Sequence, residues 1–226
     1  MIKNIFLLFF GFFFICQCVY ADSDMVIAES LTKFLSESGA GWEVKQNPKT
    51  GVIEQLKGGK TSPIDATSPL SAATKFLSEN IGLFLGSSGD IKNVTVNYMK
   101  ENLMGSRVIF KQLWNNKPVF GCEIFINLNK NYEVFQIDST VVPIEMKDRP
   151  AKLDSEEAIT AAKKEMGVEE TGMPPTAVLG VYPGFPPVNA WKVKLLKDNP
   201  KGLWEIIVNG QNGEIISKEN MTRYNK

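Results

Sequence analysis

The sequence predicts an α+β protein built as two tandem helix-plus-antiparallel-sheet units. Three observations lead there. A helical segment followed by a run of strand-like segments occurs twice, over residues 68–142 and again over 154–217. A break rich in polar residues and Pro, 143–152, separates the two. Short turns such as Asn129-Lys130-Asn131 and Gly210-Gln211-Asn212-Gly213 join successive strands, which favours neighbours that pair antiparallel.

Residues 1–21 carry a single charge, Lys3, and an apolar run from Ile5 to Ile15 interrupted only by Gly11. Val19-Tyr20-Ala21 then supplies a small-residue exit before Asp22 and Asp24, so 1–21 read as a secretory signal peptide. No small residue precedes Cys16 or Cys18, which disfavours a lipoprotein. Cleavage after Ala21 leaves Cys122 as the only cysteine, expected as a small buried apolar residue in a strand. No later apolar run is long enough to span a bilayer, so the expectation is an exported chain, periplasmic or extracellular, with no membrane span after cleavage.

Residues 22–62 form an N-terminal helix and hairpin. Ile27, Leu31, Phe34 and Leu35 recur at helical spacing, and Gly39-Ala40-Gly41 ends the helix. Trp42 to Val44 and Val52 to Leu56 flank a Pro/Asn/Gly turn, and 57–69 read as a linker. Ser68-Pro69 opens the next helix with a hydroxyl cap and Pro in the first turn, its stripe being Leu70, Ala73, Phe76, Leu77 and Ile81. Four extended segments come next, around Val94–Tyr98, Val108–Leu113, Val119–Leu128 and Tyr132–Val142. In the second unit, Asp154 and Glu157 make a capping box ahead of Ala158, Ile159, Ala161, Ala162 and Met166. Strands are expected at 177–182, 190–196, 203–209 and 214–217.

The chain has 226 residues, 25 Lys+Arg against 25 Asp+Glu, three Cys and no histidine. Without imidazole there is no Ser-His-Asp triad, no Cys-His pair and no H-E-x-x-H zinc site. Balanced charge gives no footprint for nucleic acid. The carboxylate pairs Glu156-Glu157 and Glu169-Glu170 read as a cap and a solvated turn. Gly58-Gly59-Lys60-Thr61 lacks the spacing of a phosphate loop, and the Asp residues lack that of a calcium loop. Asn93-Val94-Thr95 and Asn220-Met221-Thr222 fit the glycosylation pattern. No catalytic residue, metal site or cofactor is expected.

The run Phe110-Lys111-Gln112-Leu113-Trp114-Asn115-Asn116-Lys117-Pro118-Val119-Phe120-Gly121-Cys122-Glu123 resembles the signature of the fungalysin/thermolysin propeptide (FTP) domain. There, a strand leads through an Asn-Gly turn into Val-Pro-Val-Phe-Gly-x-Glu. The second unit resembles a PepSY domain through Val181-Tyr182-Pro183, Ala190-Trp191-Lys192-Val193, Trp204 to Val208 and Asn212-Gly213-Glu214-Ile215. The resemblance covers about Trp42 to Ser217, and it implies a cystatin-like FTP unit at 63–145 and a PepSY-like unit at 150–226. Asn116 stands where relatives usually carry Gly, and Tyr132 replaces an expected turn Gly. Asn127 and Asn129 replace a common His and Asp, and the sequence stops at Lys226 where a peptidase domain would otherwise start.

What the resemblance implies is a non-catalytic protein that inhibits, or helps to fold, a thermolysin-like zinc metallopeptidase acting in trans. The implied partner-binding residues are Gln112, Trp114, Asn116, Pro118, Phe120, Gly121 and Glu123. Trp114 reads equally as a partner anchor or an aromatic capping the sheet. Phe120 and Gly121 read first as setting strand packing and a close backbone approach, and Glu123 as a polar contact or a solvated carboxylate. The alternatives are an exported module for an unrelated ligand or partner, and the remnant of a truncated precursor.

Overall fold

The computed structural model describes residues 24–222 other than 148, 170, 172, 199 and 200. The predicted signal segment 1–21 lies outside the described residues. The architecture is α+β, as the helix-then-strand pattern predicts. The chain divides into two compact units. One holds the residues up to Gln112 together with Gly121–Pro143, the other Leu113–Phe120 together with the residues from Ile144 onward.

In the first unit, helix α1 spans 24–38. Ile27 and Phe34 of its predicted stripe are buried, while Leu35 remains exposed. Phe34 meets Trp42 and Phe76 edge-on, at ring-centroid distances of 5.2 and 6.1 Å, an arrangement that suits the ring quadrupoles. Strands β1 (Glu43–Gln46) and β2 (Ile53–Lys57) form the expected hairpin. Asn47 Oδ1 accepts the N–H groups of Lys49 and Thr50 at 2.9 and 3.1 Å, which closes the turn.

The stretch after β2, expected as a linker, is instead an ordered strap. Thr61 N–H donates to the carbonyl of Val134 at 3.0 Å, and Val134 N–H returns a bond to Thr61 Oγ1 at 3.0 Å. Lys60 Nζ reaches the buried Glu133 at 3.1 Å. A bond from Asn129 Nδ2, together with that cation, holds the Glu133 carboxyl below its usual range. Composition alone marks such a segment as irregular, and does not separate a free linker from one whose polar groups find partners.

Helix α2 (Pro69–Asn80) starts at Ser68, whose Oγ accepts Ser71 N–H at 3.1 Å while Ser71 Oγ accepts Ser68 N–H at 3.0 Å. It buries Ala72, Ala73, Phe76 and Leu77, and the short helix α3 (Gly82–Leu85) adds Leu83, Phe84 and Leu85. Strands β3 (Val94–Asn102), β4 (Gly105–Trp114), β5 (Lys117–Asn129) and β6 (Val134–Ser139) complete the sheet, in the order β1-β2-β6-β5-β4-β3. Alternation along β5 places Ile124, Ile126 and Leu128 in the core with no exposed area. Tyr132 takes φ +60 in the turn between β5 and β6, the left-handed conformation a Gly would adopt more easily.

In the second unit, helix α4 (Ser155–Met166) begins with the predicted capping box. Asp154 Oδ1 accepts Glu157 N–H, and Glu157 Oε2 accepts Asp154 N–H, both at 2.9 Å. Glu156 and Glu157 lie at its positive end and Lys163 and Lys164 at its negative end, complementing the helix dipole. Ala158, Ala162 and Met166, four residues apart, pack on Val193, Leu195, Ile206 and Val208. Those residues belong to an antiparallel sheet of β7 (Thr176–Tyr182), β8 (Val188–Asp198), β9 (Lys201–Asn209) and β10 (Ile215–Asn220). One pairing departs from the all-antiparallel expectation: Val119 of β5 meets Val181 of β7 in parallel.

The cap on α4 is a measurable contribution. Replacing Asp154 with Ala removes the acceptor for Glu157 N–H and is expected to lower stability by about 1 kcal/mol. Urea unfolding followed by circular dichroism reads this directly. Asp154→Ser should retain most of the stability.

Candidate functional site

The residues singled out by the sequence all lie on the β4–β5 hairpin. Strand β4 ends at Trp114 and β5 begins at Lys117, so the turn consists of Asn115 and Asn116. Both take positive φ, +46 and +61. That pair of conformations is the I′ type that matches the right-handed twist of a two-residue hairpin. Asn adopts it with less strain than other non-Gly residues, so Asn116 serves in place of the usual Gly.

Four of the residues belong to the second unit. Asn116 is exposed, and Trp114 and Pro118 are half-buried. Lys117 Nζ sits 5.1 Å from the Trp114 ring centroid and 3.3 Å from Oδ1 of the buried Asn189. A cation over an indole face is favourable and fixes the ring's position. Trp114 is therefore a braced, partly accessible aromatic rather than a fully covered cap. Phe120 is buried, packs with Ala190 and Ile207, and lies under Lys192 Nζ at 4.7 Å. Its ring occupies the space where Gly180 lacks a side chain. A Cβ there would come within 2.5 Å of the Phe120 ring and of the Pro118 carbonyl oxygen.

The other three belong to the first unit. Gln112 is buried, and its amide clamps one residue in two directions. Nε2 donates to the Val142 carbonyl at 2.6 Å, and Oε1 accepts Val142 N–H at 3.2 Å. Glu123 is half-buried and accepts a bond from Asn97 Nδ2 at 2.7 Å. Gly121 corrects an expectation. Nothing lies within 4 Å of where its Cβ would be, so no close backbone approach requires the glycine; its φ of +74 does. The close-approach glycine is Gly180, which no sequence pattern singles out.

Of the seven, Gln112 and Phe120 are buried and hold the fold, whereas the tip around Trp114, Asn116 and Pro118 presents surface. Beside that tip, a hollow of about 360 Å³ is lined by Lys117, Pro150, Ala151, Leu153, Leu179 and Trp191. Trp191 Nε1 donates to the Leu153 carbonyl at 3.0 Å, which orients its ring in the wall. A larger groove in the first unit, about 520 Å³, is bordered by Lys45, Asn47, Glu54, Gln55 and Asp138. Its charged groups are already paired: Lys45 with Glu54 at 2.8 Å, and Gln55 with Asp138 at 2.7 Å. The Lys45 bond holds the Glu54 carboxyl below its usual range. Neither concavity was legible in the sequence, because each gathers residues far apart in the chain.

Among the described residues, no group of three or more His, Cys, Asp or Glu is placed to hold a metal ion. Cys122 is buried as expected, and desolvation, with the neighbouring Glu123 charge, pushes its thiol up to about 12. No helix among the described residues is long and apolar enough to cross a membrane.

No protein-family model matches the chain, and neither does any curated protein. Among solved structures, the C-terminal domain of Bacillus megaterium YpeB is similar at 14% sequence identity, covering 88% of this chain and 97% of that one, with a TM-score of 0.40.

Two measurements check the site's physical account. Gly180→Ala should destabilise the second unit by roughly 1–3 kcal/mol through overpacking against Phe120 and Pro118. Pairing it with Phe120→Ala should recover part of that loss relative to the sum of the single effects, read as a coupling in urea unfolding. For Cys122, a thiol raised in the folded state stays protonated while the unfolded chain ionises, so stability falls as pH climbs from about 9 towards about 12. The wild type should lose stability over that window faster than Cys122→Ala, by up to ~1.4 kcal/mol per pH unit.

Proposed function

We propose that this chain is an exported, non-catalytic binding protein that engages a thermolysin-like zinc metallopeptidase in trans, as inhibitor, folding chaperone or both. The observation that carries the reading is the β4–β5 hairpin. It bears the FTP-like run Phe110 to Glu123, and its two-residue turn takes positive φ at both Asn115 and Asn116. The braced Trp114 and the adjacent hollow supply an anchor and a recess, features that concentrate binding energy at protein interfaces. Restraint of a peptidase needs surface complementarity and no catalytic group of its own, which suits a chain without histidine.

A second reading, an exported module for an unrelated partner, draws support from the exposed apolar edge of β3, where Tyr98 and Met99 face solvent.

The test is direct. The mature chain from Asp22 is mixed with a panel of thermolysin-like peptidases, and both residual activity and the yield of refolded peptidase are followed. Slow, tight inhibition or a raised refolding yield is expected, with Trp114→Ala weakening either effect by roughly tenfold or more. No effect on activity or refolding across the panel sinks the proposal.

A further inference from the structure

Strand β3 is an outer strand of the first unit whose backbone, among the described residues, pairs with β4 and with no second strand. Its residues from Val96 to Asn102 are all exposed. Val96, Tyr98 and Met99 are 40, 45 and 38% exposed, and Leu103 and Met104, in the turn to β4, are 92 and 81% exposed. Unpaired backbone groups along such an edge are a template for another strand. Proteins blunt these edges with charged side chains, proline, a covering element or a bulge. Among the described residues this edge carries the exposed Lys100 and Glu101 and an irregularity between Val96 and Tyr98; from Tyr98 to Asn102 the register with β4 is unbroken.

The charges on this edge are arranged against the fold's own stability. Lys100 stands directly opposite Arg107 of β4, a like-charge cross-strand pair. Lys100 Nζ lies 5.6 Å from the Tyr98 ring centroid, and Arg107 Nε donates to the neutral Asn127 Oδ1 at 2.7 Å. Neither cation has a carboxylate partner among the described residues. Tyr98 and Lys100, two residues apart, share one side of the strand, and Glu101 falls on the other. The edge therefore combines free backbone, apolar side chains and an uncompensated pair of cations.

From this we propose that β3 is a docking edge for an extended, acidic segment of a partner protein. The segment adds to the sheet as a further strand, places a carboxylate opposite Lys100 within the field of Arg107, and covers Tyr98, Leu103 and Met104 with apolar side chains. Main-chain bonds supply affinity and the alternating side chains supply selectivity. A second copy of this chain fits less well, because it would bring a further Lys100 and Arg107 to the same patch. The inference is independent of the peptidase reading and is tested without any peptidase.

The probes are two short synthetic peptides, one alternating Glu with Val and one alternating Lys with Val, each fluorescently labelled and titrated with the mature chain at low salt. The Glu/Val peptide is expected to bind at least roughly tenfold tighter than the Lys/Val peptide. It should also slow amide hydrogen exchange across Val94–Asn102. Lys100→Glu combined with Arg107→Glu should reverse the preference. The milder Lys100→Gln, which relieves a repulsion and keeps the fold, should weaken acidic-peptide binding severalfold. Equal binding of both peptides, or binding that leaves β3 exchange unchanged, overturns the proposal. So does concentration-dependent dimerisation that protects the same amides, or preference for vesicles of anionic lipid over the peptide.

Discussion

The fold hangs on two residues accepting positive φ. Asn115 and Asn116 reverse the chain in two steps, and their conformation lets β4 run directly into β5 with compatible twist. Strand β5 then serves both units. Its first residues, Val119 and Phe120, enter the core of the second unit, and its later ones, Ile124, Ile126 and Leu128, fill the core of the first. A residue intolerant of left-handed backbone at either turn position would strain the hairpin. Asn at position 116 thus belongs to a narrow permitted set.

Gly121 and Gly180 show that glycine does two different jobs beside this strand. At Gly121 the surroundings are open and the backbone angle alone demands it; at Gly180 the angle is ordinary and the neighbouring Phe120 ring demands it. From the sequence Gly121 is expected in the second role, and the structure gives it the first. The second depends on which ring arrives from elsewhere in the chain, and no local pattern encodes that. The parallel contact of Val119 with Val181 belongs to the same class of long-range fact.

The parts that were legible in the sequence are those with local causes. Ser68 and Asp154 cap their helices as their spacing dictates, because a side chain three residues from an orphan N–H has few other options. Apolar patterning located the extended segments at Val108–Leu113 and Val119–Leu128, and the short Asn115-Asn116 turn between them fits a hairpin. Of the candidate site, the hairpin was legible but the division of labour within it was not. Gln112 looks like any polar strand residue until Val142 is seen beside it, and its amide then serves as a substitute for a missing backbone neighbour. The strap at Lys60 and Thr61 escaped for a similar reason, since its partners Glu133 and Val134 lie 73 residues further on.

That strap also bears on the order in which the chain can become structured. Strand β2 finds its second neighbouring strand in β6, with Gln55 and Asp138 bonded across 83 residues. A chain emerging from its N-terminus must therefore hold β2 as an unsatisfied border until nearly the whole first unit has been made. Contacts of such separation close slowly, because the intervening chain must lose its freedom before any bond forms. Closure of the first unit therefore waits on the long-range pairing of β2 with β6.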